Sequence, residues 1–230
     1  KKIDKFEIRI HVNEKNKTIT IQDNGIGMDE DDMQANLGTI AKSGTEDFIK
    51  KLGDKKGDVN QIGKFGVGFY SSFMVSDQVV VRSKKYDSSS GYLWTSDGKG
   101  TFSIEPTTFD LSGTEITLSI KKDEDEFLSK YRIEEIVKKY SDFVPFPIFV
   151  TSEEDKKEKK DKEEKEEQVN SAEAIWLKDK TKIKDEEYKS FFNQTSTYYD
   201  EPLKTIHFKA EGVVNYTALL YLPKSQPQDL

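Results

Sequence analysis

Two glycine-rich stretches constrain the fold of this chain more than anything else in it. Asp23-Asn24-Gly25-Ile26-Gly27-Met28 follows directly on a strand-like run, and Gly63-Lys64-Phe65-Gly66-Val67-Gly68-Phe69-Tyr70-Ser71 leads directly into a helix-like one. Gly25 and Gly27 permit positive φ and close backbone approach. Asp23, at the end of a strand, is a strong acceptor for an exocyclic amine such as that of adenine. Met28 offers a soft apolar surface to a flat ring. In the second stretch, Gly63, Gly66 and Gly68 free several amides to face an anion, and a helix start adds a favourable dipole end. Together they describe a nucleotide pocket with a movable cover between its halves. Each half also has a plainer reading. Asp-Asn-Gly is common turn chemistry, and a glycine loop can simply pack ahead of a buried helix. The spacing excludes two familiar phosphate motifs. No Gly-Lys-Ser/Thr follows the loop, and Gly-x-x-Gly-x-Gly is not a dinucleotide fingerprint.

Bulk properties narrow the function class. The 230 residues suffice for one domain and part of another. A net charge of −7 argues against a dedicated nucleic-acid binder, which needs a basic face. The absence of cysteine excludes a disulfide framework, a thiolate metal site and a Cys nucleophile. No apolar run approaches the roughly 20 residues of a membrane helix, and no secretory signal is visible. The chain opens on Lys1-Lys2-Ile3 rather than Met, so the expectation is that an upstream piece is missing.

Periodicity gives the organisation. Phe6 to Val12 and Thr18 to Ile21 alternate as a hairpin. Asp29 is a helix N-cap for a short acidic helix through Leu37. Residues 38–63 read as a long loop carrying a short helix, and a loop of that length is usually functional or disordered. Gly66 to Val75 reads as helix, and Gln78 to Arg82 as strand. Gly91 to Thr95 and Gly100 to Ile104 form a second hairpin, and Gly113 to Ile120 a further strand. Asp123 to Phe127 is a short helix, and the amphipathic Tyr131 to Tyr140 a longer one ended by Pro145 and Pro147. The fold class is α+β: a two-layer α/β sandwich with a mixed, mostly antiparallel sheet and helices on one face. Glu153 to Glu167 contains only Glu, Asp and Lys and is a solvated linker or an exposed helix. Beyond it, Ala172 to Leu177 and Asp185 to Phe192 read as helices, and Lys204 to Phe208 and Tyr216 to Leu222 as strands, the start of a second α/β domain.

Other chemistry is thinner. Thr114, after Gly113, can bond a base directly or through water, although most Gly-Thr pairs merely begin strands. Lys42, in the long loop, has the reach to meet a phosphate but is more often simply solvated. His11 and His207 lack metal-like neighbours and are read as structural, and no Ser-His-Asp arrangement is suggested. Asp123 to Glu126 reads as helix-start charge rather than a metal site. No catalytic residue and no metal ligand is named.

In order and spacing, Asp23 to Met28, the run Leu37-Gly38-Thr39-Ile40-Ala41-Lys42-Ser43-Gly44-Thr45, Gly63 to Ser71 and Gly113-Thr114-Glu115 resemble the heat-shock protein 90 chaperone family. Ala172 to Trp176 and Asp185 to Lys189 are similar to its bacterial branch. The resemblance implies a Bergerat-type ATP-binding fold, shared with gyrase, sensor histidine kinases and mismatch-repair ATPases. It implies an ATP-binding domain at 1–150 lacking its first helices, a charged linker at 151–170 and the beginning of a middle domain at 171–230. By resemblance, Asp23 takes the adenine amine, Gly27 and Thr114 complete the base site, and Met28 packs on the ring. Asn36 lies near the ribose and phosphates, and Leu37 and Lys42 join the nucleotide-binding set. Gly66, Val67, Gly68 and Phe69 give amides to the phosphates. Residues from about Met33 to Gly63 become a lid that closes over ATP.

The family's catalytic glutamate and magnesium asparagine lie on a helix ahead of the first strand. The expectation is therefore ATP and ADP binding, Mg2+ and hydrolysis in the parent protein, and little or no hydrolysis by this stretch alone. Expected partners are unfolded or client proteins and a second copy joined through a segment outside this chain, with no nucleic acid and no membrane. The expected location is cytoplasmic, with a mitochondrial or other organellar member as the alternative. The competing functions are another ATPase of the same superfamily and a non-catalytic nucleotide-binding interaction module.

Overall fold

The computed structural model describes residues 5–38, 66–110, 112–153, 166–196, 201–210 and 216–225. The chain divides into two compact units, Lys1–Asp142 with Phe146–Asn170, and Phe143–Pro145 with Ser171–Leu230.

The first unit is built on a seven-stranded sheet. In chain order the strands are β1 (Ile8–Asn13), β2 (Thr18–Asp23), β3 (Ser76–Lys84), β4 (Gly91–Ser96), β5 (Phe102–Thr107), β6 (Gly113–Ile120) and β7 (Ile148–Ser152). Their order across the sheet is β5-β4-β3-β6-β2-β1-β7. Every neighbouring pair is antiparallel except β1 and β7, which run parallel. The mixed, mostly antiparallel sheet expected from the sequence is present. Alternation did not reveal β7, because Pro145 and Pro147 precede a run too short to show a period.

Register explains the core. Directly opposed residues share a face. One rung across the sheet reads Ile104, Trp94, Val81, Ile116, Ile21, Ile10 and Val150. A second joins Val79, Leu118, Ile19 and Val12. Val79, Val81, Trp94, Leu118, Ile19, Val12 and Val150 are buried. Each fully buried aliphatic side chain contributes about 1.5–3 kcal/mol, so a charge at Val79 or Val81 would break the layer. The opposite face is polar. There Thr20 bonds Thr117, Arg82 pairs with Glu115, and the Arg9 guanidinium sits over the Phe149 ring.

Helices supply the apolar counterpart. α1 (Glu30–Leu37) buries Met33 and Leu37, one turn apart. Asp29 caps it as expected, accepting from the Asp32 amide, while the Asp32 carboxylate accepts from the Asp29 amide. A 3-10 turn (Gly68–Ser71) runs into the single-turn α2 (Ser72–Val75). A longer 3-10 segment (Lys122–Leu128) precedes α3 (Lys130–Tyr140), which buries Ile133 and Val137.

The second unit holds α4 (Asp185–Thr195) and an antiparallel pair, β8 (Pro202–Ala210) and β9 (Tyr216–Pro223). Phe143, Trp176 and Phe191 form an aromatic cluster, and Tyr221 packs at a tilt against Phe191 and Phe192. His207 is structural in the sense the sequence suggested. Its ring bridges the Tyr188 hydroxyl and the Trp176 carbonyl. Most of the charged run lies outside the described residues, as do the long loop and Lys42 within it.

Candidate nucleotide site

The sheet changes character at one end. Past the apolar rungs, the next one on the covered face reads Tyr92, Ser83, Thr114, Asp23 and Ile8. The positions that continue Val81, Ile116 and Ile21 are thus Ser83, Thr114 and Asp23, three polar side chains in a row.

The Asp23 carboxylate accepts from the Gly25 amide at 2.8 Å, and the nearby Thr114 amide favours its ionised form. Burial pushes its pKa above the ordinary carboxylate value, against the opposing pull of those two amides. No cation pairs with it among the described residues. A carboxylate has about four lone-pair sites, so acceptor capacity remains for an incoming donor. That is the chemistry a purine amine needs.

The loop after Asp23 is pinned over the end of β3. The Met28 amide donates to Ser83 Oγ at 2.8 Å, and the Tyr86 amide to the Ile26 carbonyl at 2.9 Å. Gly27 (φ 65°) is buried against the Lys84 carbonyl, where a Cβ would collide. Gly113 (φ 127°) passes as closely over the Asp23 backbone. Lys85 closes the rim by pairing with Asp29 at 2.5 Å and Asp32 at 2.7 Å. These two carboxylates hold the Lys85 ammonium well above its usual pKa.

α1 carries the chain from the Asp23 end of the sheet toward the glycine loop. Its eight residues, at about 1.5 Å each, span about 12 Å, the scale of a nucleoside with its first phosphates. Asn36 is half-buried near its end, and its side chain makes no hydrogen bond among the described residues. The Leu37 carbonyl accepts from the Tyr70 hydroxyl at 3.0 Å. That bond ties α1 to the glycine loop. Phe69 packs edge-on against Tyr70, Phe73 and Trp94. The backbone turns at Gly66 (φ 62°), and Val67 and Gly68 are exposed. Among the described residues no backbone hydrogen bond engages the amides of Gly66, Val67, Gly68 or Phe69.

One sequence expectation needs correction here. The helix after the glycine loop is a 3-10 turn followed by one α turn, so its dipole is small. Any anion held there is held by loop amides.

Family comparisons bear on the whole chain. Residues 3–135 match the model described as histidine kinase-, DNA gyrase B-, and HSP90-like ATPase, and residues 126–168 and 151–230 match the Hsp90 protein model. The chain belongs to the Hsp90 family. It is 50% identical over 224 residues to the chaperone protein HtpG of Wolinella succinogenes, covering 97% of this chain and 36% of that one. It is 48% identical over 230 residues to HtpG of Helicobacter pylori, covering 97% and 37%. HtpG of Paramagnetospirillum magneticum is 45% identical over 226 residues, covering 98% and 35%. The chain thus spans a little over a third of the length of these curated relatives.

In this Hsp90-family chain the structure brings Asp23, Gly27, Met28 and Thr114 together at the sheet end, and α1 leads from them to Asn36 and Leu37. Gly66, Val67, Gly68 and Phe69 lie where the Tyr70 bond meets Leu37. Sequence reasoning missed Ser83, Tyr70 and Lys85. Ser83 was signalled, since a serine on the buried parity of Val79-Val80-Val81-Arg82-Ser83 is a polar group that must find partners. Tyr70 and Lys85 carry no such mark, because their partners are distant in sequence.

Proposed function

We propose that this chain is the nucleotide-binding front of an ATP-driven chaperone of the Hsp90 kind, with residues 1–150 as the ATP-binding domain, 151–170 as a charged linker and 171–230 as the start of a middle domain. Asp23 takes the exocyclic amine of adenine. Gly27 and Thr114 complete the base site, and Met28 packs on the ring. Asn36 and Leu37 face the ribose and first phosphates, Lys42 adds a cation, and the amides of Gly66, Val67, Gly68 and Phe69 hold the phosphate oxygens. The parent protein hydrolyses ATP, acts on unfolded client proteins, forms a homodimer and works in the cytoplasm. Magnesium enters as the counter-ion of the phosphates, and no residue of this chain is assigned to it. No described helix is long and apolar enough to cross a membrane.

One observation carries the base-site reading. Asp23 is a half-buried carboxylate that accepts from the Gly25 amide, lies beside the Thr114 amide and keeps unspent acceptor capacity. Titration of the full-length protein with ADP in a calorimeter tests it. Asp23→Asn replaces one acceptor oxygen by an amide NH2 donor and removes the charge, and should weaken ADP by about 100-fold. Unchanged affinity would refute the assignment.

A further inference from the structure

Ser83 is fully buried, and every contact of its hydroxyl is accounted for. Its oxygen lies 2.7 Å from the Gly113 carbonyl, 2.8 Å from the Met28 amide and 3.0 Å from Thr114 Oγ1. A serine hydroxyl has one proton and two lone pairs. The Gly113 carbonyl can only accept, so it takes the proton. The Met28 amide can only donate, so it occupies one lone pair. The remaining lone pair then faces Thr114, and Thr114 must donate to it. The hydroxyl hydrogen that Thr114 could offer a ligand is therefore spent inside the protein, and its amide faces the Asp23 carboxylate.

We propose that Ser83 is a positioning residue that sets the hydrogen-bond polarity of Thr114, so that the base-facing wall formed by Thr114 and Asp23 presents acceptors only. The inference deepens the nucleotide reading and rests on it. An acceptor-only wall welcomes the 6-amino group of adenine and penalises a 6-oxo purine, whose carbonyl would face lone pairs. A site built on such polarity discriminates strongly, because the wrong ligand leaves buried groups unpaired. A bridging water would not soften the rule. Held between Thr114 and the Asp23 carboxylate, it would donate to both and turn its own lone pairs toward the ligand. Ser83 need not touch the nucleotide to do this; it acts through Thr114.

The test compares ADP with inosine diphosphate, which carries a 6-oxo group in place of the 6-amine and a hydrogen on N1, on the full-length protein. Wild type should favour ADP. Ser83→Ala frees the Thr114 proton to point outward. Inosine diphosphate should then bind more tightly and the ADP preference narrow by about tenfold. A merely structural role would weaken both nucleotides alike and leave their ratio unchanged, which overturns the proposal. Thr114→Val supplies a second arm that does not depend on Ser83→Ala folding. It should lower ADP affinity, spare inosine diphosphate and remove any further effect of Ser83→Ala on the ratio. A Thr114→Val ratio equal to wild type also overturns the proposal. Wild type binding neither nucleotide sinks the underlying nucleotide reading instead.

Discussion

At the proposed base end of the site each polar group belongs to a strand end or to a loop pinned on one. At the proposed phosphate end, amides lie on and just before a single 3-10 turn. Asp23, Thr114 and Ser83 occupy directly opposed positions on β2, β6 and β3, and their hydrogen bonds run into the protein. Gly66 to Phe69 are held by local hydrogen bonds to their carbonyls, the Phe69 ring contacts and the neighbouring Tyr70 hydroxyl, with Val67 and Gly68 exposed. On the proposed function, a ligand group that must be read by direction would meet the rigid end, and one that needs only charge compensation from several amides the looser end. The contrast then teaches that selectivity would be fixed before a ligand arrives, while the grip on the phosphates would be left to be completed by it.

The sharpest way to break this comparison is to add one methyl group at each end. Gly27→Ala forces a Cβ into the Lys84 carbonyl at a positive φ and should cost about 3 kcal/mol of stability, read by thermal or urea unfolding. Gly68→Ala meets nothing within 4 Å and should change stability by no more than about 0.5 kcal/mol, while weakening ADP. Equal losses at the two positions would erase the distinction between a rigid and a loose end.

The next effect is that of pH on Asp23. Burial raises its folded-state pKa, so ADP affinity should fall as pH drops through that raised value, approaching about tenfold per pH unit below it. The fall should begin at a higher pH than for an ordinary aspartate. Stability of the ligand-free protein runs the other way. The advantage of the neutral form is complete below the unfolded-state pKa and is lost as pH rises through the folded one. Calorimetric titrations paired with thermal unfolding across acidic pH check both signs, and Asp23→Asn should flatten both.

The smallest expected effect is at Tyr70. Tyr70→Phe removes the bond to the Leu37 carbonyl, which is worth about 1 kcal/mol. ADP affinity should drop about fivefold and adenosine affinity should not change. An equal loss for adenosine would mean that Tyr70 supports the base end too.

The sequence made most of the sheet legible because its strands alternate, and alternation is what one covered face produces. Asp29 announced α1 through cap chemistry. β7 stayed hidden because a parallel edge partner leaves no turn signal of its own and Pro147 masks its start. Asp23 and the glycine loop stood out as local motifs. What joins them did not, because Ser83, Tyr70 and Lys85 act through contacts 30 to 56 residues away in sequence. The glycine loop also looked like the mouth of a full helix. The apolar residues Phe69, Phe73 and Val75 produce that impression, yet the chain turns into β3 at Ser76.

The most direct test is a crystal structure of the full-length protein with ADP. The purine amine should lie within hydrogen-bonding distance of the Asp23 carboxylate, with phosphate oxygens on the Gly66 to Phe69 amides. A purine seated anywhere else, or one turning a ring carbonyl edge to Asp23 and Thr114, would contradict the account.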